Sequence, residues 1–259
     1  MSDLIHPTAV ISSKAQLADT VRVGPFAVIG DGVEIGAGTS IGSHAVVAGP
    51  TVIGENNKIY QFASIGDEPQ DKKYAREPTR LVIGNGNTIR EYCTISRGTI
   101  QDRGETLLGD DNWIMAYVHI AHDCVIGSHT IMANNATLAG HVHVGDWAIL
   151  GGYSGVHQFC RIGAHAFLGM YSGNNRDVPA YTTVAGLPAS PRGINSEGLK
   201  RRGFDEQQIR NIKNAYRIVY RQGKKLNEAM DEIELKLPDQ PELELFLESL
   251  RSSERGIVR

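Results

Sequence analysis

Aliphatic side chains recur at every sixth position along the first part of the chain. The series contains eleven residues without an exception: Ile5, Ile11, Leu17, Val23, Ile29, Ile35, Ile41, Val47, Ile53, Ile59 and Ile65. Neither the 3.6-residue period of an α-helix nor the two-residue alternation of a single strand produces this spacing. A period of six is typical of short strands separated by turns, with the aliphatic side chain pointing into a prism. We therefore predict a parallel β-helix in which three six-residue faces make one 18-residue coil.

The six-residue period returns in register after a first interruption, and after a second it slips once and restarts at Leu108. The later members are Ile83, Ile89, Ile95, Leu108 and every sixth residue from there to Leu168, with a last pair at Val178 and Val184. The interruptions, near 67–80 and 97–107, are rich in charged and polar residues, so we predict two loops inserted into the prism. Glycine follows many of the aliphatic residues, as at Gly24 and Gly42, and we predict corners with positive φ there.

The pattern changes to helical spacing from about residue 191. Asp205 is a good N-cap, and four apolar residues then follow the period of a helix that should end at Gly223: Ile209, Ile212, Tyr216 and Val219. Shorter helices are predicted over 226–235 and 241–250. The predicted fold is therefore mainly β, with a β-helix over 1–190 and a small α-helical C-terminal domain over 191–259.

Composition and charge narrow the class of protein. The net charge of −3 gives no basic field that would favour nucleic acid. Three cysteines, an odd and small number, argue against a disulfide framework and favour a reducing compartment. The N-terminal residues lack the apolar core of a signal peptide, and no run approaches the ~18 apolar residues of a membrane helix. We predict a cytoplasmic protein without a membrane span.

Four histidines are predicted to form one strip on the outside of the prism. Ile120, Leu138 and Val156 are 18 residues apart and should stack in successive coils, about 4.8 Å from one to the next. The histidines near them are His119, His122, His141 and His157. Asp123 follows His122, and Gln158 follows His157. A lone exposed histidine is more often bonded to backbone at a corner, but four in one strip favour a functional site.

Two kinds of chemistry fit this strip. A neutral histidine can act as general base on an alcohol, with a carboxylate to orient its ring. Alternatively, three histidines can hold zinc with an open fourth position, as in β-helix carbonic anhydrases of the gamma type. A β-helix scaffold without catalytic activity is a third interpretation. The residue pattern by itself leaves these alternatives open.

Longer motifs carry a resemblance to a known family. They are I-Y-Q-F-A-S-I-G at 59–66, Q-D-K-K-Y at 70–74, E-P-T-R at 77–80, H-I-A-H-D-C at 119–124, A-N-N-A-T-L-A-G-H-V at 133–142, V-H-Q-F-C at 156–160 and E-G-L-K-R-R-G-F at 197–204. Together they resemble the UDP-N-acetylglucosamine O-acyltransferases over nearly the whole chain. The related N-acyltransferases carry an extra N-terminal domain, whereas here the repeat begins at Ile5.

The resemblance implies a left-handed β-helix and a homotrimer with sites between subunits. It also implies transfer of a (3R)-3-hydroxyacyl chain from acyl carrier protein to the 3-hydroxyl of UDP-N-acetylglucosamine, the first step of lipid A biosynthesis. No cofactor, no metal and no covalent acyl-enzyme are expected. A CoA-dependent acetyltransferase of the hexapeptide type is a closer alternative than the zinc enzyme.

The resemblance also assigns roles to residues. It implies that His122 is the general base, that Asp123 orients it, and that a backbone N–H near Gly140 binds the oxyanion. The residues implied to bind substrate are His119, His141, His157, Gln158, Asn195, Arg201 and Arg202, with Asp71 and Lys73 reaching the neighbouring subunit's site.

The chain departs from the family pattern at two positions. Ser96 stands where many members have histidine before the Arg97–Gly98 pair, which puts at most a peripheral contact in doubt. Met170, beside Gly169, stands where members that use longer chains have glycine. Because a side chain that blocks a groove discriminates by length, we predict an acyl chain of about ten carbons.

Overall fold

The structure is a computed structural model that describes residues 4–259, so the first three residues of the predicted β-helix lie outside the described residues. Its strands are short and are distributed along the chain up to residue 194. In chain order they are β1 (Val10–Ile11), β2 (Gln16–Leu17), β3 (Arg22–Val23), β4 (Val28–Ile29), β5 (Val33–Ile35), β6 (Ser40–Ile41), β7 (Val46–Val47), β8 (Thr51–Ile53), β9 (Lys58–Ile59), β10 (Ser64–Asp67), β11 (Arg80–Ile83), β12 (Thr88–Ile89), β13 (Thr94–Ser96), β14 (Glu105–Leu108), β15 (Trp113–Ile114), β16 (His119–Ile120), β17 (Val125–Ile126), β18 (Ile131–Met132), β19 (Thr137–Leu138), β20 (His143–Val144), β21 (Ile149–Leu150), β22 (Gly155–Val156), β23 (Arg161–Ile162), β24 (Phe167–Leu168), β25 (Gly173–Asn174), β26 (Thr182–Ala185) and β27 (Ser190–Ile194).

Each strand from β1 to β22 pairs in parallel with the strand three places later in the chain, which produces three sheets, whereas β27 pairs with β26 in antiparallel fashion. The first sheet runs from β1 through β4 and every third strand to β25, the second from β2 to β23, and the third from β3 to β24 and then β26 and β27. Ile120 aligns with Leu138, and Leu138 with Val156. These pairings confirm the predicted prism of three faces and 18-residue coils.

The aliphatic positions of the six-residue register form the core of the prism. Ile29, Ile65, Ile120 and Leu168 are all fully buried. At the N-terminal end of the prism, the residue at the equivalent aliphatic position, Ile5, is 43% exposed to solvent. A coil covers only its neighbours, so the first coil leaves one side of its apolar layer in solvent.

The predicted role of the corner glycines is wrong in part. Of the glycines that follow an aliphatic residue in the first series, only Gly66 has a positive φ, of 75°. At most of the others, glycine is required because successive coils approach closely: a Cβ on Gly42 would lie 2.6 Å from the amide nitrogen of Gln61. Positive φ occurs mostly two residues later, at non-glycine corner residues such as Phe26 and His44.

The corners form three edges of the prism, each marked by corner residues with positive φ. The histidine edge, between the first and second sheets, contains Asp123 and His141, with Phe159 after them. The tryptophan edge contains His129, Trp147, His165 and Tyr181, and the tyrosine edge contains Tyr117, Asn135, Tyr153 and Tyr171.

Two loops leave the prism at the histidine edge. The first connects β10 to β11 over residues 68–79, and the second connects β13 to β14 over residues 97–104. Residues 105–107 belong to β14, so the second loop is shorter than predicted. Both loops therefore lie on the edge that carries His122 and His141.

Four α-helices follow the prism, α1 (Ser196–Arg201), α2 (Glu206–Arg221), α3 (Leu226–Lys236) and α4 (Glu244–Arg251), and a short 3-10 helix (Pro241–Leu243) precedes α4. Asp205 caps α2 as predicted, in a capping box with Gln208. The Tyr181 hydroxyl donates a hydrogen bond to the Glu242 carbonyl over 2.8 Å and joins the helices to the prism. The last strand, β27, continues to Ile194, and the division of the chain at residue 190 stays a prediction. No helix within residues 4–259 is both long and apolar enough to cross a bilayer.

Candidate active site

His122 and Asp123 form a hydrogen-bonded pair at the turn between β16 and β17. The His122 Nδ1–H donates to Oδ2 of Asp123 over 2.8 Å. Because an ionised carboxylate only accepts, the bond fixes the proton of a neutral imidazole on Nδ1 and leaves Nε2 as the basic nitrogen. The side chain of Asp123 is completely buried, whereas that of His122 is 14% exposed. The pair therefore presents a base to a solvent-accessible edge.

The second loop surrounds the carboxylate of Asp123. The amide N–H of Thr99 donates to Oδ1 over 2.9 Å, and the Thr99 hydroxyl donates to Oδ2 over 2.7 Å. Burial raises the pKa of Asp123, but the hydrogen bonds from His122 and Thr99 outweigh burial and hold the pKa below its usual value. Asp123 is consequently an anion at neutral pH.

Gly140 lies beneath the His122 ring in the next coil. A Cβ at residue 140 would be 2.6 Å from Cε1 and 2.8 Å from Nε2 of His122. Any side chain there would displace the ring, so the imidazole needs glycine at this position. Among the described residues, the Gly140 N–H has no protein hydrogen-bond acceptor.

His141 lies beside the pair, one coil beyond Asp123. Its ring stacks on Phe159 with centroids 4.4 Å apart and meets His122 edge-on at 5.1 Å. Its Nδ1–H donates to Oδ2 of Asp102 over 2.9 Å. Its Nε2 is 3.9 Å from Oδ2 of Asp123, too far for a hydrogen bond. The free Nε2 therefore adds a second ring nitrogen to the site.

The remaining residues of the strip extend the site on both sides. Nδ1 of His119 is 2.7 Å from the Thr94 hydroxyl, and burial, followed by the nearby His122, lowers the pKa of His119. His157 and Gln158 are exposed one coil further along. The structure therefore brings the four predicted histidines to the same side of the prism, in the order that the repeat predicts.

Two open cavities flank the histidine edge. One, of about 820 Å³, is lined by residues that include Asp102, His141, Phe159 and Arg161. The other, of about 500 Å³, has a mainly apolar lining that includes Thr137, Gly155, His157, Gly173 and Leu187. The second cavity is a groove over the first sheet because small residues there leave space outside the strands.

The predicted phosphate-binding residues lie on a different edge of the same chain. Arg202 donates to Nδ1 of His165 over 3.0 Å and lies over the Trp147 ring at 5.2 Å. Asn195 caps α1 by accepting from the Gly198 N–H and donates to the His165 carbonyl. Arg201 is exposed. Within one chain these three residues are not brought to His122.

The loop and chain-length residues also lie apart from the pair. In the first loop, the Lys73 N–H donates to Asp71 Oδ1 over 3.0 Å, and within residues 4–259 neither side chain bonds to the four histidines. Met170 is 60% exposed beside Tyr171 on the tyrosine edge. A Cβ on Gly169 would be 3.0 Å from the Cβ of Ala185.

A metal ion would find three donor groups in the site but few free atoms. His122, Asp123 and His141 offer ligand atoms within 4.8 Å of one another. The Asp123 oxygens, however, already accept from His122 and Thr99, and Nδ1 of His141 is bonded to Asp102. Nε2 of His122 and Nε2 of His141 remain free, so the group offers two imidazole nitrogens and a carboxylate that already accepts hydrogen bonds, which does not match the three-histidine zinc site.

Three polar residues at the site were not predicted. Thr99 and Asp102 come from the second loop, and Thr106 accepts from the Asp123 N–H over 2.8 Å. The only sequence signal for them was the interruption of the repeat near 97–107, which identifies a loop but not its contacts.

Comparison with known protein families supports a relationship over both parts of the chain. Residues 177–258 match a family model described as UDP N-acetylglucosamine O-acyltransferase, domain 2. Residues 14–49 and 105–140 match the bacterial transferase hexapeptide model. The chain is 58% identical over 256 residues to the acyl-[acyl-carrier-protein]–UDP-N-acetylglucosamine O-acyltransferase of Stutzerimonas stutzeri, covering 99% of each protein. It is 57% identical to the protein of the same name from Thiobacillus denitrificans, covering 98% of this chain and 99% of that one.

Comparison with solved structures supports the same family relationship. LpxA from Acinetobacter baumannii superposes with a TM-score of 0.97 at 49% identity and covers 99% of this chain and 100% of its own. The UDP-N-acetylglucosamine O-acyltransferase of Moraxella catarrhalis superposes with a TM-score of 0.97 at 48% identity, with the same coverage. These neighbours are left-handed β-helices, which confirms the predicted fold class.

Proposed function

The chain belongs to the family of acyl-[acyl-carrier-protein]–UDP-N-acetylglucosamine O-acyltransferases, and from that premise we propose that His122 is its general base. Acyl transfer between a carrier protein and a sugar nucleotide is the activity of the family, so the zinc-enzyme, scaffold and CoA-dependent interpretations lose their support. The observation that carries the proposal is the His122–Asp123 pair, with its free Nε2 beside Gly140. The reaction would be the first step of lipid A biosynthesis.

The proton of the sugar hydroxyl is transferred to His122. Nε2 removes the proton from the 3-hydroxyl of UDP-N-acetylglucosamine while its oxygen attacks the thioester carbonyl carbon. The tetrahedral intermediate then collapses, the carbon–sulfur bond breaks, and the imidazolium returns the proton to the departing thiolate. The products are the 3-O-acylated sugar nucleotide and the free thiol of the carrier protein. Because the sugar hydroxyl attacks directly, no covalent acyl-enzyme forms.

Asp123 supports this proton transfer in two ways. It keeps the His122 proton on Nδ1, so that Nε2 faces the substrate, and its negative charge stabilises the imidazolium. The hydrogen bonds from Thr99 hold the carboxylate in place and lower its pKa, so it stays charged through the reaction. The free N–H of Gly140 is the candidate donor to the oxyanion, because it is close to the base and lacks a protein acceptor.

The histidine strip would bind the acceptor sugar, with His119, His141, His157 and Gln158 as its hydrogen-bonding partners. We assign recognition of the uridine diphosphate to Asn195, Arg201 and Arg202, since arginine matches phosphate with paired N–H donors. These residues lie on a different edge from His122 in one chain, so the assignment requires that a second copy supplies them.

A homotrimer accounts for this separation. In such an assembly each site would combine the histidine edge of one subunit with the Arg202 region or the first loop of another, and Asp71 and Lys73 would cross to the neighbouring site. Met170 and Gly169 would lie near the distal end of the acyl chain, and the exposed Met170 side chain would limit its length. The separation of Arg202 from His122 supports this arrangement.

A single-turnover assay tests the function. Purified protein treated with a chelator is mixed with UDP-N-acetylglucosamine and a panel of 3-hydroxyacyl carrier proteins, and the acylated sugar nucleotide and carrier thiol are measured by mass spectrometry. We expect equal amounts of both products and no loss on chelation. Failure with every donor, or activity that returns only with zinc, would contradict the proposal.

A further inference from the structure

Asp102 is a carboxylate in the second loop that faces His141, and the mechanism above does not use it. Its Oδ2 lies 2.9 Å from Nδ1 of His141, although 39 residues separate the two in the chain. The His141 side chain is 12% exposed and that of Asp102 is 42% exposed, so the carboxylate closes one side of a largely buried ring. The contact is a charge-assisted hydrogen bond, which is stronger than a bond between neutral groups.

Stacking alone does not define which edge of the His141 ring faces the site. Phe159 lies parallel to the imidazole, with 12° between the planes and 4.4 Å between the centroids. This contact fixes the plane, but a half-turn about the Cβ–Cγ bond would exchange Nδ1 with Cδ2 and leave the stacking intact. Only a polar partner distinguishes the two orientations, and Asp102 is that partner.

The Asp102 bond also determines the proton position on His141. Since a carboxylate accepts, Nδ1 carries the proton, and a neutral His141 presents Nε2 as a hydrogen-bond acceptor. Asp123 does not occupy this atom, because its Oδ2 is 3.9 Å away and already accepts from His122 and Thr99. Nε2 is therefore available to a donor group of the substrate next to the base.

We propose that Asp102 is a positioning residue that holds His141 with Nε2 as an acceptor for a hydroxyl or amide N–H of the acceptor sugar. The proposal rests on the proposed function, which it deepens by assigning the chemistry of one sugar contact. Asp102 acts through His141 and touches no reacting atom. Its contribution is to substrate binding, with little effect on the proton transfer at His122.

Steady-state kinetics of Asp102→Ala test the proposal. We expect KM for UDP-N-acetylglucosamine to rise about five- to twentyfold, the range for a hydrogen bond to a partly exposed charge, while kcat changes less than about twofold. Asp102→Asn keeps an acceptor for the Nδ1–H and should stay within about threefold of the wild type. Gln101→Ala is the matched control, because Gln101 lines the same cavity without bonding to His141.

A double-mutant cycle separates positioning from a general effect of the loop. In a His141→Ala background, Asp102→Ala should cause no further rise in KM, because Asp102 is proposed to affect substrate binding only through His141. An equal rise in both backgrounds, or a KM of Asp102→Ala equal to that of Gln101→Ala, would overturn the proposal. Inactivity of the wild type would instead count against the proposed function, so the two failures are distinct.

Discussion

The imidazole of His122 lies directly over Gly140, so close that a Cβ at residue 140 would be 2.6 Å from Cε1 of the ring. The two residues come from successive coils, 18 positions apart, and the 18-residue coil fixes their contact. Glycine at this position thus provides room for the base, and its backbone N–H lacks a protein acceptor among the described residues.

Gly140→Ala should inactivate the enzyme without unfolding it. The added methyl group would push the His122 ring away, and a displacement of about 1 Å at a reacting group costs about 10²-fold in rate. We expect kcat to fall by at least that factor, measured in the single-turnover assay, with an unchanged circular dichroism spectrum. Gly152→Ala is the control, since a Cβ there meets its nearest atom at an ordinary 3.4 Å. Near-normal kcat for Gly140→Ala would contradict the described packing.

His122→Ala should lower kcat far more than it changes KM. Removal of a general base typically costs about 10²- to 10⁴-fold, and the buried Asp123 cannot replace it because it has no path to the sugar hydroxyl. His129→Ala serves as the control, because His129 is a histidine on the tryptophan edge, stacked on Trp147. If His122→Ala retained more than a tenth of the wild-type kcat, the base would have to be another residue.

The prism could be predicted from the sequence because every coil has the same inward-facing positions, which must be aliphatic. Ile120, Leu138 and Val156 are each required to be aliphatic by the same inward-facing position, so their period shows the fold directly. The histidine strip followed from that period, since residues beside aligned aliphatics must themselves align.

The contacts made by the second loop could not be predicted in the same way. Thr99 reaches Asp123 across 24 residues and Asp102 reaches His141 across 39, and the loop has no period from which these pairings follow. The position of Arg202 against Trp147 likewise depends on how the helices pack at the end of the prism. The corner glycines could be located from the sequence, but the reason for them could not. Successive coils approach closely at these positions, and this contact is visible only in the three-dimensional structure.

Met170→Gly should shift the preferred acyl donor to a longer chain. The wild-type side chain is exposed where the acyl groove is proposed to end, and each methylene that a pocket accepts or refuses is worth about 1–3 kcal/mol. We expect the best donor to lengthen from about ten carbons by two to four, read from kcat/KM across the carrier-protein panel. Met170→Leu, which keeps most of the volume, should preserve the wild-type order. An unchanged preference in the glycine variant would refute the length-limiting role of Met170.

His165 should make stability fall in mild acid. It is 7% exposed, and burial, followed by the charge of Arg202, lowers its pKa from 6.5 to about 4, with Asp146 acting in the opposite direction. Between these values the unfolded chain binds a proton that the folded chain refuses, so the free energy of unfolding decreases as pH falls from 6.5 towards 4. The full loss attributable to this group is about 3 kcal/mol.

The variant His165→Asn isolates this contribution. Its Oδ1 can accept from Arg202 in place of Nδ1, and asparagine tolerates the φ of 59° at this corner. Asparagine does not titrate, so the difference in free energy of unfolding between wild type and variant should change steadily across this pH range, with the wild type losing more. Urea unfolding at several pH values measures that difference. A difference independent of pH would mean that His165 accepts its proton as readily in the folded chain, and that Arg202 and burial do not oppose it.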